Sequence, residues 1–417
     1  MMNAMKWASA LSTRPSLEAA VEEVATQAQQ LLQAPPDLGL VFISSAFASE
    51  FSRLMPLLQQ RLSVPALIGC SGGGVIGVNS AGHVREVEDT AALGLTLAYL
   101  PDVTVQTFHL STDRLPDLDG PPDAWIDRIG VLPQDNPQFI LLGDPTASGL
   151  NEVLQGLDYA YPGSTKIGGL ASVDSASRYG CLFCDYQQRR DGVVGVALSG
   201  NIVLETIVAQ GCRPIGHTYR VVEGERNILT QLEEQSNEDG SSCGLPQTPL
   251  EVLQNLFQTL SEDDRLLAQR ALFVGVAQSA FKQHLEQGDF LIRNLLGVDP
   301  KTGAIAIGDR VRPGQRIQFH LRDAKASEAD LTTLLQRYQS QSLSTSPVGA
   351  LMFSCLGRGE GLYNEPDFDS QLFNQFISVP LSGFFCNGEI GPVEGTTFLH
   401  GYTSVFGICR PRTQNET

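Results

Sequence analysis

The 417-residue chain is too long for one ordinary hydrophobic core, so two or three domains are expected. Its 46 acidic residues against 28 basic ones leave a net charge of -18 with no local basic run, which argues against phosphate-backbone and anionic-membrane partners. Hydrophobic content of 42% with both charge signs present is globular. No apolar run is long enough to insert into a membrane, and the N-terminus lacks the continuous apolar stretch of a signal peptide, so the expected location is cytoplasmic.

In chain order, Trp7, Ala8 and Ala10 sit in a first strand, and Ser16 caps a helix over 17–32 whose apolar residues share one face. Residues 38–44 (LGLVFIS) form a buried strand, and 51–62 a helix that Pro56 kinks or starts. Next comes VPALIGCSGGGVIG (64–77), a strand running into a glycine-rich turn that brings backbone close to a neighbour. A hairpin around 79–82 follows, then strands over 90–99 and 103–110. The pattern restarts with a short helix at 124–129, a strand at 139–143, a helix at 149–157 and a fainter glycine turn, YPGSTKIGGLAS (161–172). Strands follow at 179–184, 192–198 and 202–209.

The acidic, turn-rich stretch 233–249 reads as a linker. Beyond it an amphipathic helix begins near Leu250, strands at 271–277, 290–298, 304–308 and 315–322 alternate like an antiparallel meander, and a helix covers 327–338. The unit then appears a third time: strand 349–354, helix 369–376, the glycine turn VPLSGFFCNGEIG (379–391) and a closing strand at 403–409. Aligning Gly69 with Gly383 places Gly74, Ile76 and Gly77 on Gly388, Ile390 and Gly391. These repeated strand-helix-strand-hairpin units predict an α+β or α/β fold with mixed sheets and flanking helices. The expected domains are 1–232, made of related subdomains at about 1–115 and 116–232, and 250–417 after the linker.

The first turn satisfies two catalytic patterns. Gly69-Cys70-Ser71-Gly72-Gly73 fits a nucleophile elbow, and Gly72, Gly74 and Gly77 fit a dinucleotide fingerprint. Both need a helix directly after the turn, and a hairpin follows instead. The other copies carry Leu170 and Phe385 where the first has Ser71. Cys181 and Cys184 form a CxxC without a second close pair, as expected of packed thiols rather than a zinc site. With eight cysteines, several in apolar runs, the chain reads as reduced rather than as a disulfide scaffold.

The third copy is chemically richer. Cys355, Arg358 and Gly359 follow a buried strand, and Gly388 and Glu389 follow its turn, at loops where such sheets place ligands. A guanidinium and a carboxylate converging there would grip a zwitterion such as an amino acid; the alternative is that they pair with each other. Cys355 beside Arg358 would have a lowered pKa.

These residues resemble the FIST family. The N-terminal likeness rests on WASALS, VPALIGCSGGGVIG, DTAALGLTL and IGGLAS, and the C-terminal one on SCLGRG, PLSGFFCNGEIGP and FLHGYTSVFGI. The resemblance implies a pair of sensory domains, FIST N and FIST C, that bind a small ligand in signal transduction. Some members of the family bind haem through a histidine, and His400 is the candidate ligand for such a nitric oxide sensor. No kinase, cyclase or F-box pattern is present, so a separate signalling protein is the expected partner. The expected function is a non-catalytic sensor that requires no cofactor. Its ligand-binding residues are Gly69, Cys70, Ser71, Gly72, Gly73, Cys355, Arg358, Gly359, Gly388 and Glu389. The alternatives are the haem sensor and a thiol-dependent enzyme.

Overall fold

The computed structural model describes residues 4–172, 180–235, 244–279, 282, 284–341 and 345–413. The expected linker falls partly outside them, with Cys243; within it, Glu233 and Glu234 belong to a strand and Thr248 caps a helix. The fold is α+β, with mixed sheets and flanking helices. Met1–Val208 and Thr332–Thr417 form one compact unit, and Ala209–Leu331 a second. The expected domain edges at 232 and 250 therefore do not coincide with the compact units, because the hairpin at Cys212–Glu225 and Ile228–Glu234 pairs with the strands of the second unit.

The larger unit contains the three copies. Each is built on a parallel strand pair joined by a helical crossover, since parallel neighbours cannot be linked by a tight turn. The pairs are Leu38–Ser44 with Ala66–Gly72, Gln138–Gly143 with Lys166–Leu170, and Gly349–Cys355 with Leu381–Cys386. An antiparallel strand lies beside the first member of each pair: Leu93–Tyr99, Val193–Gly200 and Thr403–Arg410.

The hairpin after each glycine turn leaves its own copy. Gly74–Val78 and Val84–Glu88 join the third copy's sheet; Leu182–Cys184 and Gln187–Arg189 join the first copy's; Glu389–Val393 and Thr396–His400 join the second copy's. Three six-stranded sheets of the same internal order result. Because every copy lends its hairpin to another, the subdomains expected at 1–115 and 116–232 are interlocked rather than separate.

Strand register shows why the turns carry glycine. Gly69, Gly168 and Gly383 lie opposite Val41, Leu141 and Met352, so they occupy one position of the repeat. A Cβ there would come within 2.2, 1.8 and 1.7 Å of the respective partner's carbonyl oxygen. Each paired neighbour thus sets its carbonyl where a side chain would start, leaving room only for glycine. The alignment of Gly69 with Gly383 thus holds, and the fainter copy joins it at Gly168.

Between the sheets lies a shared apolar core, where Phe384 stacks on Phe42 at 5.1 Å and meets Phe353 edge-on at 5.8 Å. The outer faces carry helices. Leu17–Leu32, capped by Ser16 as expected, buries seven residues against the first sheet and helix Phe51–Arg61. Helix Phe368–Phe376 stacks Phe373 on Phe406 of the third.

The second unit is a closed six-stranded barrel, ordered Cys212–Glu225, Ile228–Glu234, Ile305–Ile307, Phe290–Val298, Leu272–Ala277 and Arg316–Arg322. The four strands expected as a meander are in it. The closing strand Cys212–Glu225 is hard to see in sequence because a register shift between Ile215 and Thr218 breaks its alternation.

Candidate functional site

The three glycine turns meet inside the larger unit and bind one another in a ring. Gly73 N donates to Phe385 O at 3.2 Å, Ser172 N to Ser71 O at 3.0 Å, and Asn387 N to Leu170 O at 3.0 Å. Register makes the three donors equivalent, and the three acceptors likewise. Gly69, Cys70, Ser71 and Gly72 are buried in this junction rather than displayed on an open loop. Ser71 Oγ accepts from Cys181 N at 3.0 Å, a structural bond that fixes the incoming second hairpin. A hairpin follows the turn, so the elbow and the dinucleotide fingerprint both lack their helix.

The CxxC lies at the start of that second hairpin. Burial pushes the Cys181 thiol up to about 12 and the Cys184 thiol up to about 11. Among the described residues no cluster of three or more His, Cys, Asp or Glu is placed to hold a metal.

The third copy's corner brings Cys355, Arg358 and Glu389 together, with Gly359 following Arg358, whereas Gly388 is held by the second copy, its carbonyl accepting from Leu170 N at 2.8 Å. Gly359, at φ +63, turns the loop so tightly against the first hairpin that a Cβ would lie 2.3 Å from Glu88 Oε1. Arg358 is fully buried beneath it. Its Nε and Nη2 bind Asp369 at 2.7 and 2.9 Å, and Nη2 donates to Tyr363 Oη at 2.7 Å. Burial alone would lower the guanidinium pKa; the Asp369 carboxylate outweighs it and holds the group above its ordinary value. Nη1 is buried with no partner among the described residues.

Glu389 is also fully buried. Its Oε2 accepts from Thr403 N at 3.1 Å, and Cys386 Sγ donates to Oε1 at 3.6 Å. Burial raises its carboxyl to about 8, against the lowering effects of the Thr403 bond and of Arg358. Arg358 and Glu389 do not form an ion pair with each other; Arg358 is committed to Asp369. Cys355 is half-buried, and its thiol is pushed up to about 12 by burial and then by Glu389. A lowered thiol pKa is therefore overturned: Arg358 favours the thiolate, but desolvation and the neighbouring carboxylate outweigh it.

Sequence reasoning missed Asp369, Tyr363 and Glu86. Glu86, from the first hairpin, is buried, and its Oε1 accepts from Ser370 N at 2.6 Å, capping the first turn of helix Phe368–Phe376. Burial, and then the Asp369 charge, raises its carboxyl to about 8. In sequence Glu86 stands among Arg85, Val87 and Glu88 and looks like one residue of a solvated strand. Only the exchange of hairpins carries it under another copy's helix.

His400 lies opposite Glu389 in the third hairpin, buried, with Nε2 at 3.0 Å from Gly391 O. A haem ligand needs an imidazole nitrogen facing an apolar cavity, and this one is occupied inside its own hairpin. His400 does not fit that role.

Comparison with known proteins matches the FIST N domain over residues 37–235 and the FIST C domain over residues 249–392. An uncharacterized protein of Mycobacterium tuberculosis is 34% identical over 400 residues, spanning 95% of this chain and 98% of that protein. An F-box/LRR-repeat protein of Arabidopsis thaliana is 25% identical over 475 residues, spanning 97% and 85%. F-box only protein 22 of Homo sapiens is 29% identical over 115 residues, spanning 23% of this chain and 28% of that protein.

Proposed function

The chain belongs to the FIST family, with FIST N and FIST C domains in succession, and from that premise we propose that it is a cytoplasmic, non-catalytic sensor that binds a small zwitterionic ligand at the third copy's corner. A separate signalling protein receives the output. The family is one of sensory domains, which supports the class of function.

One observation carries the choice of site. Register makes Val75, Leu182 and Glu389 equivalent, since each precedes the residue opposite its receiving sheet's glycine: Ile76 opposite Gly383, Phe183 opposite Gly69, and Ile390 opposite Gly168. Two copies fill the position with an apolar side chain, and the third buries a carboxyl. Burying that group opposes folding unless it is compensated. A ligand carboxylate at Arg358 Nη1 would give that nitrogen its missing partner, and a ligand ammonium beside Glu389 would favour the ionised carboxylate that burial disfavours. The Gly69–Gly73 turn then serves as backbone framework, with Leu356, next to Cys355, lying over Gly73 at the outer face. The raised thiol of Cys355 speaks against a thiol-dependent enzyme.

The test is thermal unfolding of the full chain against a panel of amino acids and related zwitterions. A cognate ligand at a hundred times its Kd adds about 2.7 kcal/mol of stability. That gain should vanish in Glu389→Gln, which keeps the shape and an acceptor for Thr403 N. A gain that persists undiminished in this variant removes the site from the corner.

A further inference from the structure

A second, separate feature of the larger unit is a cavity of about 650 Å³ beside the first hairpin. Its lining includes Glu23 from the first helix, Glu86, Glu88 and Asp89 from the hairpin and its end, and Glu360 from the start of the short helix Glu360–Tyr363. Arg85 is the cation among the lining residues, and it is paired with Asp367 at 2.6 Å. Acidity alone would describe any solvated face of a chain this negative. Glu86 adds an independent observation: it lines the cavity, is only 5% exposed, and its Oε2 has no hydrogen-bond partner among the described residues.

We propose that this cavity binds an organic cation carrying no carboxylate of its own, a diamine or longer polyamine. Among the described residues, no three potential ligands are grouped to hold a metal ion. The carboxylates come instead from two helices and a hairpin, which suits a ligand with separated charges. An amino acid would bring its carboxylate among five others, with the nearby guanidinium already committed to Asp367. An ammonium reaching Glu86 Oε2 would give that buried oxygen a charge-assisted partner.

Proton linkage supports the same reading. Glu86 faces Asp369 and Asp367 from the helix start, Glu88 and Arg85 from its own hairpin, and Arg358 behind Asp369. Its carboxyl is held up to about 8, so it retains its proton at neutral pH. A bound ammonium favours the carboxylate, so binding releases that proton and tightens as pH rises toward about 8.

The experiment is calorimetric titration of the full chain with 1,4-diaminobutane, set against 4-aminobutanoate and magnesium chloride at matched ionic strength. The expected result is saturable diamine binding with proton release and no comparable binding of either control. Glu86→Gln with Glu88→Gln should weaken the diamine at least about tenfold, a loss of about 1.4 kcal/mol. Glu360→Gln, a lining change at an exposed helix start, should weaken it by a smaller factor and covers the case in which the double variant does not fold. Glu389→Gln should leave diamine binding unchanged, so a failure here is distinct from a failure of the corner site. Absence of saturable diamine binding, equal binding of magnesium or 4-aminobutanoate, or undiminished binding in the folded double variant overturns the proposal.

Discussion

The first and third copies share a backbone plan and differ in what they bury. At the first copy's turn, Ser71 fixes a neighbouring hairpin and Val75 fills the core. At the third, Phe385 takes the place of the serine and Glu389 that of the valine, with Arg358, Asp369 and Tyr363 close behind. The turn is therefore a folding device common to all copies, and charge has been added to one of them. Backbone geometry locates the repeat; departures from the repeat locate candidate chemistry.

The largest effect is expected where the third copy's added charge is held. Asp369→Ala strands the Arg358 guanidinium in a buried site, and loss of one partner of such a pair costs about 3–5 kcal/mol. Urea unfolding measures it. A change comparable to an exposed ion pair would mean that the corner relaxes to water and is not the closed site described. The shared framework is tested by Gly69→Ala, Gly168→Ala and Gly383→Ala. Each drives a methyl group into a partner's backbone, and forced repacking costs about 1–3 kcal/mol. All three should destabilise, with Gly69→Ala the mildest because its clash is the least severe. A neutral result at any one of them would break the equivalence of the copies.

A pH profile separates the copies by their charge. Glu389 has a folded-state pKa of about 8 against an ordinary 4.5, so the folded chain keeps a proton that the unfolded chain has released. Its contribution is fully present below about 4.5 and is lost as pH rises through about 8. Glu86 acts with the same sign over the same window. Glu389→Gln should flatten part of the decline and be more stable than wild type at the alkaline end. Profiles that run parallel would show that Glu389 carries its charge throughout.

The repeat was legible because its constraint leaves a residue signature: glycine recurs where the paired strand's carbonyl occupies the Cβ position, as at Gly69 and Gly383. The exchange of hairpins was not legible, since local alternation in 84–88 says that a strand exists and not which sheet receives it. For that reason the sequence pointed to Arg358 and Glu389 yet concealed their surroundings. Asp369 follows Arg358 by eleven residues and reads as an ordinary helix start, while Glu86 arrives from 272 residues before Arg358 through a sheet assembled from two copies. The barrel's closing strand was hidden by its bulge, a tertiary feature without a residue signature.

The smallest effect concerns Ser71, the residue that most resembles a catalytic group in the bare sequence. Its hydroxyl accepts one backbone hydrogen bond from Cys181, and the equivalent positions, Leu170 and Phe385, form their parts of the ring without a hydroxyl. Ser71→Ala should therefore cost about 1 kcal/mol, the net value of one such bond. It should leave ligand-induced stabilisation unchanged, because the variant alters neither the Gly73 bond to Phe385 nor the third copy's charges. Hydrogen exchange at the Cys181 amide should speed up while exchange at Gly73 does not. Loss of ligand response in Ser71→Ala, with the fold intact, would move the chemistry back to the first copy and make the buried carboxyl at Glu389 incidental.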